Sequence, residues 1–268
     1  MLVRILTALV GIPLFLGALY AGKWPLFAVV AGMGLLGFHE YVRMWEKKGV
    51  HVASGLGMAA TLGLLASAHL TPGDPVILGA IVAFTAIATL SWLIFRYADR
   101  NIIDVLVTVA GVVYVGWLWA HLLLLRGLGA GTGWDTGLKW VMMAFLCTWA
   151  ADSFAYFVGV AMGKHKLAPL ISPGKSVEGA AGGGVGAVVV GGLWAPMVGI
   201  AAWQGALIGV GIFVLSVLGD LAESALKRYT GVKDSGRSIP GHGGVLDRFD
   251  SSFFVLPFVY YVVRLWLG

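Results

Sequence analysis

Charge is what this sequence has least of. Of 268 residues, 18 are Lys or Arg and 13 are Asp or Glu, so 12% are charged, against about a quarter in soluble globular chains. With 59% hydrophobic residues and a mean hydropathy of +0.90, a soluble domain is excluded. Cysteine is nearly absent too. Cys147 stands alone in an apolar run, so no intrachain disulfide can form and nothing argues for an oxidising compartment. No A-x-A cleavage site follows the first apolar run, residues 2–20, which therefore reads as a retained span rather than a signal peptide. No internal repeat is evident.

What is present is a series of apolar runs. They cover roughly 2–20, 25–40, 55–70, 76–95, 105–125, 140–162, 179–200, 204–225 and 251–267. A membrane-crossing helix needs ~20 mostly apolar residues, and an open sheet edge cannot face lipid. The expected fold is therefore all-α: a polytopic membrane protein of about nine transmembrane helices with a cytoplasmic-side active site. Residues 1–139 supply about five N-terminal spans, and 140–268 form a catalytic transmembrane region.

With nine spans, 14 of the 18 Lys and Arg residues, Arg4 among them, fall on one side; Lys23, Arg126, Lys139 and Arg264 fall on the other. The positive-inside bias makes the first side cytoplasmic. The expected location is the inner, or plasma, membrane. A net charge of +5 and a pI near 9.4 then reflect this bias and contact with anionic lipid, not a nucleic-acid partner. Glycine is abundant, at 40 residues. The run Gly179, Gly182, Gly183, Gly184, Gly186 has small residues four apart and reads as close helix packing rather than a phosphate loop. His39, Glu40 and Glu46 at the foot of the second span read as a solvated interface.

The scarce charge is concentrated in Asp220–Asp250. This stretch holds Lys227, Arg228, Lys233, Arg237 and Arg248 together with Asp220, Glu223, Asp234, Asp247 and Asp250. Asp220, Glu223, Ser224 and Lys227 share one helical face. A carboxylate near the bilayer costs at least about 2.5 kcal/mol on insertion scales and needs a partner or a function. Pro240-Gly241-His242-Gly243-Gly244 is a turn whose glycines let backbone N–H groups approach phosphate. Asp247 and Asp250 follow it, three residues apart. Mg²⁺ takes one or two carboxylates and leaves positions for substrate phosphates, so Asp220 and Asp247 are the candidate metal ligands. Five cations would balance a nucleoside triphosphate.

A second block follows the sixth span. Asp152, Tyr156, Gly159 and Gly163 share a face, followed by Lys164, Lys166, Ser172, Lys175 and Glu178. Pro173-Gly174-Lys175-Ser176 is superficially like a P-loop, but Pro169 occupies the place of its first glycine, so it is no Walker motif.

Ser224-Ala225-Leu226-Lys227-Arg228, then Lys233-Asp234, then Pro240 through Asp250 resembles the signature of the phosphatidate cytidylyltransferases, the CDP-diacylglycerol synthases. Ala151-Asp152-Ser153, Gly163 through Leu167 and Ser172 through Gly179 look like that family's other shared stretch. The resemblance covers roughly residues 140–255; Phe154 departs from it, where a small residue is expected.

The resemblance implies that CTP and phosphatidic acid are condensed to CDP-diacylglycerol and pyrophosphate with Mg²⁺, by a nucleophile already ionised near neutral pH. Catalysis is then mostly positioning and charge neutralisation. Asp220 and Asp247 would hold metal, as a paired-ion site. Lys227, Arg228, Lys233 and Arg237 would neutralise the CTP phosphates, while Lys164, Lys166 and Lys175 take the lipid phosphate or share the triphosphate. His242 contacts the leaving pyrophosphate or shapes the turn. Asp152, Ser172, Glu178, Ser224, Asp234, Gly243, Gly244, Arg248 and Asp250 complete the expected substrate contacts. A homodimer is expected from the resemblance and the glycine-rich faces.

The nearest alternative is a CTP-dependent lipid-alcohol kinase, which would need the same nucleotide site. An ion-coupled transporter is more distant, because it leaves the charged loop unexplained. The acyltransferase motif H-x-x-x-x-D fits His242 and Asp247 but leaves Asp220 idle. The acidic motif of CDP-alcohol phosphotransferases wants three residues between its acids, and Asp247 and Asp250 are separated by two.

Overall fold

A computed structural model describes residues 2–267, apart from the side chains of residues 2–6 and 8; the Arg4 side chain of the charge partition lies outside the described residues. The chain is a bundle of long apolar helices in the order α1 (Leu2–Ala21), α2 (Lys23–Glu46), α3 (Ser54–Leu70), α4 (Pro75–Phe95), α5 (Ile102–Gly111), α6 (Leu118–Arg126), α7 (Thr136–Met162), α8 (Val177–Trp194), α9 (Ala202–Thr230) and α10 (Leu246–Val262). A π-helical stretch, Val112–Trp117, joins α5 to α6 into one rod. Seven helical segments are long and apolar enough to cross a membrane; the apolar part of α1, Leu9–Ala21, and α3 are shorter. These nine segments fall on the nine expected runs, although length alone does not make spans of the two short ones.

Polar residues set the helix starts. Asp74 accepts the Val76 N–H at 2.8 Å ahead of Pro75 at the first turn of α4, where a missing N–H costs nothing. Asn101 and Asp104 form a reciprocal capping box on α5. Asp135 accepts from Leu138 at the start of α7, and Ser176 accepts from Gly179 at the start of α8.

Helices α7, α8, α9 and α10 pack consecutively, with α10 also lying against α6 and touching α2. The expected glycine packing is present at the α7–α8 crossing, where a Cβ on Gly183 would stand 2.8 Å from the Ala151 carbonyl oxygen. The same device operates between α8 and α9, where a Cβ on Gly191 would stand 2.4 Å from the Gly205 oxygen. Phe154 lies over Gly186, whose missing side chain makes room for the ring. The core runs through Leu19, Phe38, Trp119, Met143 and Phe253, while α4 turns Phe84, Ile87, Ile94 and Phe95 outward. An outward apolar belt of this kind is a lipid-facing surface.

One element departs from the all-helical expectation. Lys166–Ala168 (β1) and Ser172–Ser176 (β2) pair as an antiparallel hairpin between α7 and α8. Its backbone groups bond to each other, so this polar connection satisfies itself beside the bundle.

Candidate active site

Two carboxylates, one inside α9 and one in the first turn of α10, each hold an ammonium. On α9, Asp220 pairs with Lys175 of β2 at 2.5 Å and accepts the Ser224 hydroxyl at 3.2 Å. On α10, Asp247 accepts Lys227 at 2.8 Å. Lys227 also pairs with Glu223 one turn earlier at 2.5 Å, so it bridges the two helices. Glu223 is fully buried, and its Oε1 has no partner among the described residues. Removing a carboxylate from water is tolerated only when a charge compensates it, which assigns Lys227 to the interior of the site rather than to a free phosphate-binding arm.

Asp247 is held by the loop before it as well. The Gly244 N–H, at 2.8 Å, and the Ser235 hydroxyl, at 2.9 Å, both donate to its Oδ2. That loop is in turn fixed from the N-terminal half. Glu40 of α2, 3% exposed, accepts the N–H groups of Val245 and Leu246, each at 3.0 Å, and the Ser235 hydroxyl at 3.3 Å. Glu40 thus caps α10, a favourable place for a carboxylate because the first N–H groups of a helix lack intrahelical partners. The close approach requires glycine: a Cβ on Gly244 would meet Ser235 Oγ at 2.1 Å and Glu40 at 2.5 Å. The reading of Glu40 as part of a solvated interface is therefore corrected.

A cleft of about 520 Å³ opens against Asp220 and Lys175. Its far wall is Asp152, Tyr156, Gly159 and Val160 of α7, with Phe213, Ser216 and Val217 of α9 opposite. Asp152, Tyr156 and Gly159 of the expected α7 face thus line the cleft, while Gly163 does not; the lining is mostly apolar and carries Asp152, Lys175 and Asp220 as its charged groups. The remaining cations are spread around it. Lys164 and Lys166 are exposed on the hairpin connection, and Arg228 donates to the Ile171 carbonyl at 3.2 Å, tying α9 to the hairpin ahead of Ser172. Glu178 accepts the N–H groups of Lys164 and His165 and the His165 ring at 2.6 Å, so it closes the base of the hairpin.

His242 sits in the turn. Its N–H donates to Ile239 and its carbonyl accepts Arg248 at 2.7 Å, while the ring Nδ1 is buried without a partner among the described residues. Asp250 accepts the Ser251 N–H at 2.6 Å, and its backbone carbonyl lies close against Gly219 of α9. Lys233, Asp234 and Arg237 face away from the 520 Å³ cleft into a separate groove.

No three His, Cys, Asp or Glu side chains converge as a ready-made metal cage among the described residues. The donor set nevertheless fits a hard dication. Mg²⁺ uses one or two carboxylates and fills its remaining positions with water and substrate phosphate, and Asp220 and Asp247 already receive cationic groups.

Comparison with known proteins decides the family. The chain matches the cytidylyltransferase family over residues 2–266. It is 38% identical over 292 residues to a phosphatidate cytidylyltransferase of Synechocystis sp., covering 98% of this chain and 97% of that protein. It is 34% identical over 266 residues to one of Bacillus subtilis (98% and 97%) and 35% identical over 270 residues to one of Staphylococcus saprophyticus (96% and 96%). This chain belongs to the cytidylyltransferase family. The likeness runs nearly end to end, so it includes the N-terminal helices, where sequence reasoning found little chemistry. Glu40 and Ser235 are the residues it missed. An acid in the last two turns of an apolar helix carries no local signal of a partner about 200 residues away.

Proposed function

We propose that this cytidylyltransferase transfers the CMP group of CTP to phosphatidate, yielding CDP-diacylglycerol and pyrophosphate. The observation that carries the reading is the Lys175–Asp220 pair in a cleft whose lining is mostly apolar, with Asp152 as its one other charged group. A phosphomonoester with two acyl chains needs a cation for its head and an apolar lane for its tails. Tyr156, Val160 and Phe213 supply the lane, so the lipid enters sideways from the bilayer.

An oxygen of the phosphatidate phosphate attacks the α-phosphorus of CTP. The bond from that phosphorus to the oxygen bridging the β-phosphate breaks, and pyrophosphate leaves in line with the electron pair. The nucleophile is already ionised, so the protein's work is alignment and charge neutralisation. Lys175 and the exposed Lys164 and Lys166 receive the lipid phosphate; Arg228, Lys233 and Arg237 face the nucleotide. Lys227, fixed between Glu223 and Asp247, sets the charge of the centre. His242 holds the turn with Gly243 and Gly244, and Arg248 clamps it through the His242 carbonyl. Asp152, Ser172, Glu178, Ser224, Asp234 and Asp250 frame the two substrates.

Asp220 and Asp247 are the residues that would hold Mg²⁺, singly or as a pair of ions, which would offset charge on the transferring phosphoryl group. The 14-to-4 division of Lys and Arg supports a cytoplasmic orientation of this end of the bundle in the plasma membrane, where CTP is available.

The test uses detergent-purified protein with phosphatidate, CTP and Mg²⁺, following lipid-linked nucleotide and pyrophosphate together. Wild type should form both in equal amounts, and Asp247→Asn should lose about 100-fold or more of the rate. Folded wild-type protein that turns over no nucleotide with phosphatidate would overturn the proposal.

A further inference from the structure

A second concavity, of about 660 Å³, lies between the C-terminal end of α2 and the loop after α9, and shares no lining residue with the cleft beside Asp220. Glu40 and Ser235 belong to its wall, and the Ser235 hydroxyl lies 2.9 Å from Asp247 Oδ2, so the groove abuts the carboxylate centre. His39 and Arg43 of α2 and Lys47, which caps it, are spaced four apart and form one stripe. Lys233 and Arg237 face them from the loop.

None of Arg43, Lys47, Lys233 and Arg237 forms an ion pair among the described residues. Glu40 forms no ion pair with them, its oxygens taking two backbone N–H groups and a hydroxyl, but its charge still offsets one of the four. Four cations therefore converge against two carboxylates, Glu40 and Asp234, which leaves the lining with a net charge of +2. A concave site with an excess of one sign focuses field and gathers anions. The lining also says which anion. Met44 and Val232 are its large apolar members, so it offers no lane for acyl chains, unlike the cleft along α7 and α9.

We infer that this groove seats the β- and γ-phosphates of the nucleotide and then the pyrophosphate product, with Arg43 and Lys47 of the N-terminal half as binding residues. The inference rests on the cytidylyl-transfer reading and deepens it. The two substrates approach the carboxylates from separate cavities, the lipid along α7 and the polyphosphate under α2. Among the described residues both terminal guanidinium nitrogens of Arg43 are without a hydrogen-bond partner, and its Nε donates to His39 at 3.2 Å.

The experiment compares wild type, Arg43→Ala/Lys47→Ala, the charge-conserving Arg43→Lys/Lys47→Arg, and Arg96→Ala as a distant surface control, all as full-length protein in detergent. Inorganic pyrophosphate is the binding probe by calorimetry, alongside KM for CTP and for phosphatidate. The double alanine variant should weaken pyrophosphate binding and raise the CTP KM by about tenfold each, with phosphatidate KM within about twofold. The charge-conserving variant should recover most of both. Unchanged pyrophosphate binding in a monodisperse double variant would overturn the inference. So would an unchanged CTP KM in the double variant. Because calorimetry needs no turnover, pyrophosphate binding still reads the groove if wild type makes no CDP-diacylglycerol, and the two failures stay distinct.

Discussion

The Glu40 carboxylate accepts the Leu246 N–H at 3.0 Å, joining the end of α2 to the start of α10 across 206 residues of sequence. Asp247 is the next residue, and the single Ser235 hydroxyl lies within reach of both acids, 2.9 Å from Asp247 and 3.3 Å from Glu40. Replacing Glu40 by Ala should orphan the two buried N–H groups of Val245 and Leu246, at about 1–3 kcal/mol for each unsatisfied group, while the Ser235 hydroxyl keeps Asp247. The expected outcome is a thermal midpoint lower by several degrees and a loss of activity larger than that instability explains, measured at a temperature where the variant is fully folded. Glu40→Gln, which keeps one acceptor oxygen, should fall between.

The Lys227 bridge makes a different prediction. Lys227→Met should be strongly destabilising, by about 3–5 kcal/mol, because it leaves Glu223 buried and uncompensated. Adding Glu223→Gln should restore much of the stability in a denaturation assay without restoring activity, since Asp247 still lacks its ammonium partner. A double variant as unstable as the single one would show that Lys227 does not act through Glu223.

Helix contact can be tested away from the chemistry. Gly191→Leu would force side-chain atoms into the Gly205 backbone, with a Cβ-to-oxygen approach of 2.4 Å before any rotamer is chosen. Overpacking of this kind costs about 1–3 kcal/mol or more. The expected result is reduced yield and a lowered midpoint in detergent, whereas Gly11→Leu, with nothing within 4 Å, should be silent.

Acid should weaken the junction before α7. Burial raises the pKa of Asp135, but the N–H groups of Leu138 and Gly131 and the Arg126 guanidinium, at 2.6 Å, more than offset this and hold it below its ordinary 3.8. A carboxyl depressed by folding stabilises the protein above its unfolded pKa, and that contribution is lost as pH falls through the folded value. Wild type should therefore lose stability below about pH 4, and Asp135→Asn should start less stable at neutral pH and show a shallower acid limb. Identical acid limbs in unfolding curves would contradict this assignment.

Most of the architecture was legible because bilayer thickness dictates helix length, and runs of about 20 apolar residues leave little freedom. The acids on one face of α9 and the α7 face with Asp152 were legible for the same reason: helical spacing fixes which residues align. The Ser235–Glu40–Asp247 contact was not, because it depends on how α2 and α10 meet rather than on either helix alone. Nor was the hairpin around Pro169, whose strands are three and five residues long and carry no alternating apolar pattern. Lys227 was read as a phosphate ligand from its position in a basic cluster; burial of Glu223, invisible in sequence, draws it inward instead.

The account is tested most directly by positional labelling. Purified protein is given phosphatidate with CTP labelled in parallel at the α- or the γ-phosphorus, and the lipid and aqueous phases are counted. Cytidylyl transfer predicts α-label in the lipid and γ-label in aqueous pyrophosphate. With a lipid alcohol supplied instead, γ-label in the lipid and α-label in aqueous CDP would contradict it and make the protein a CTP-dependent kinase.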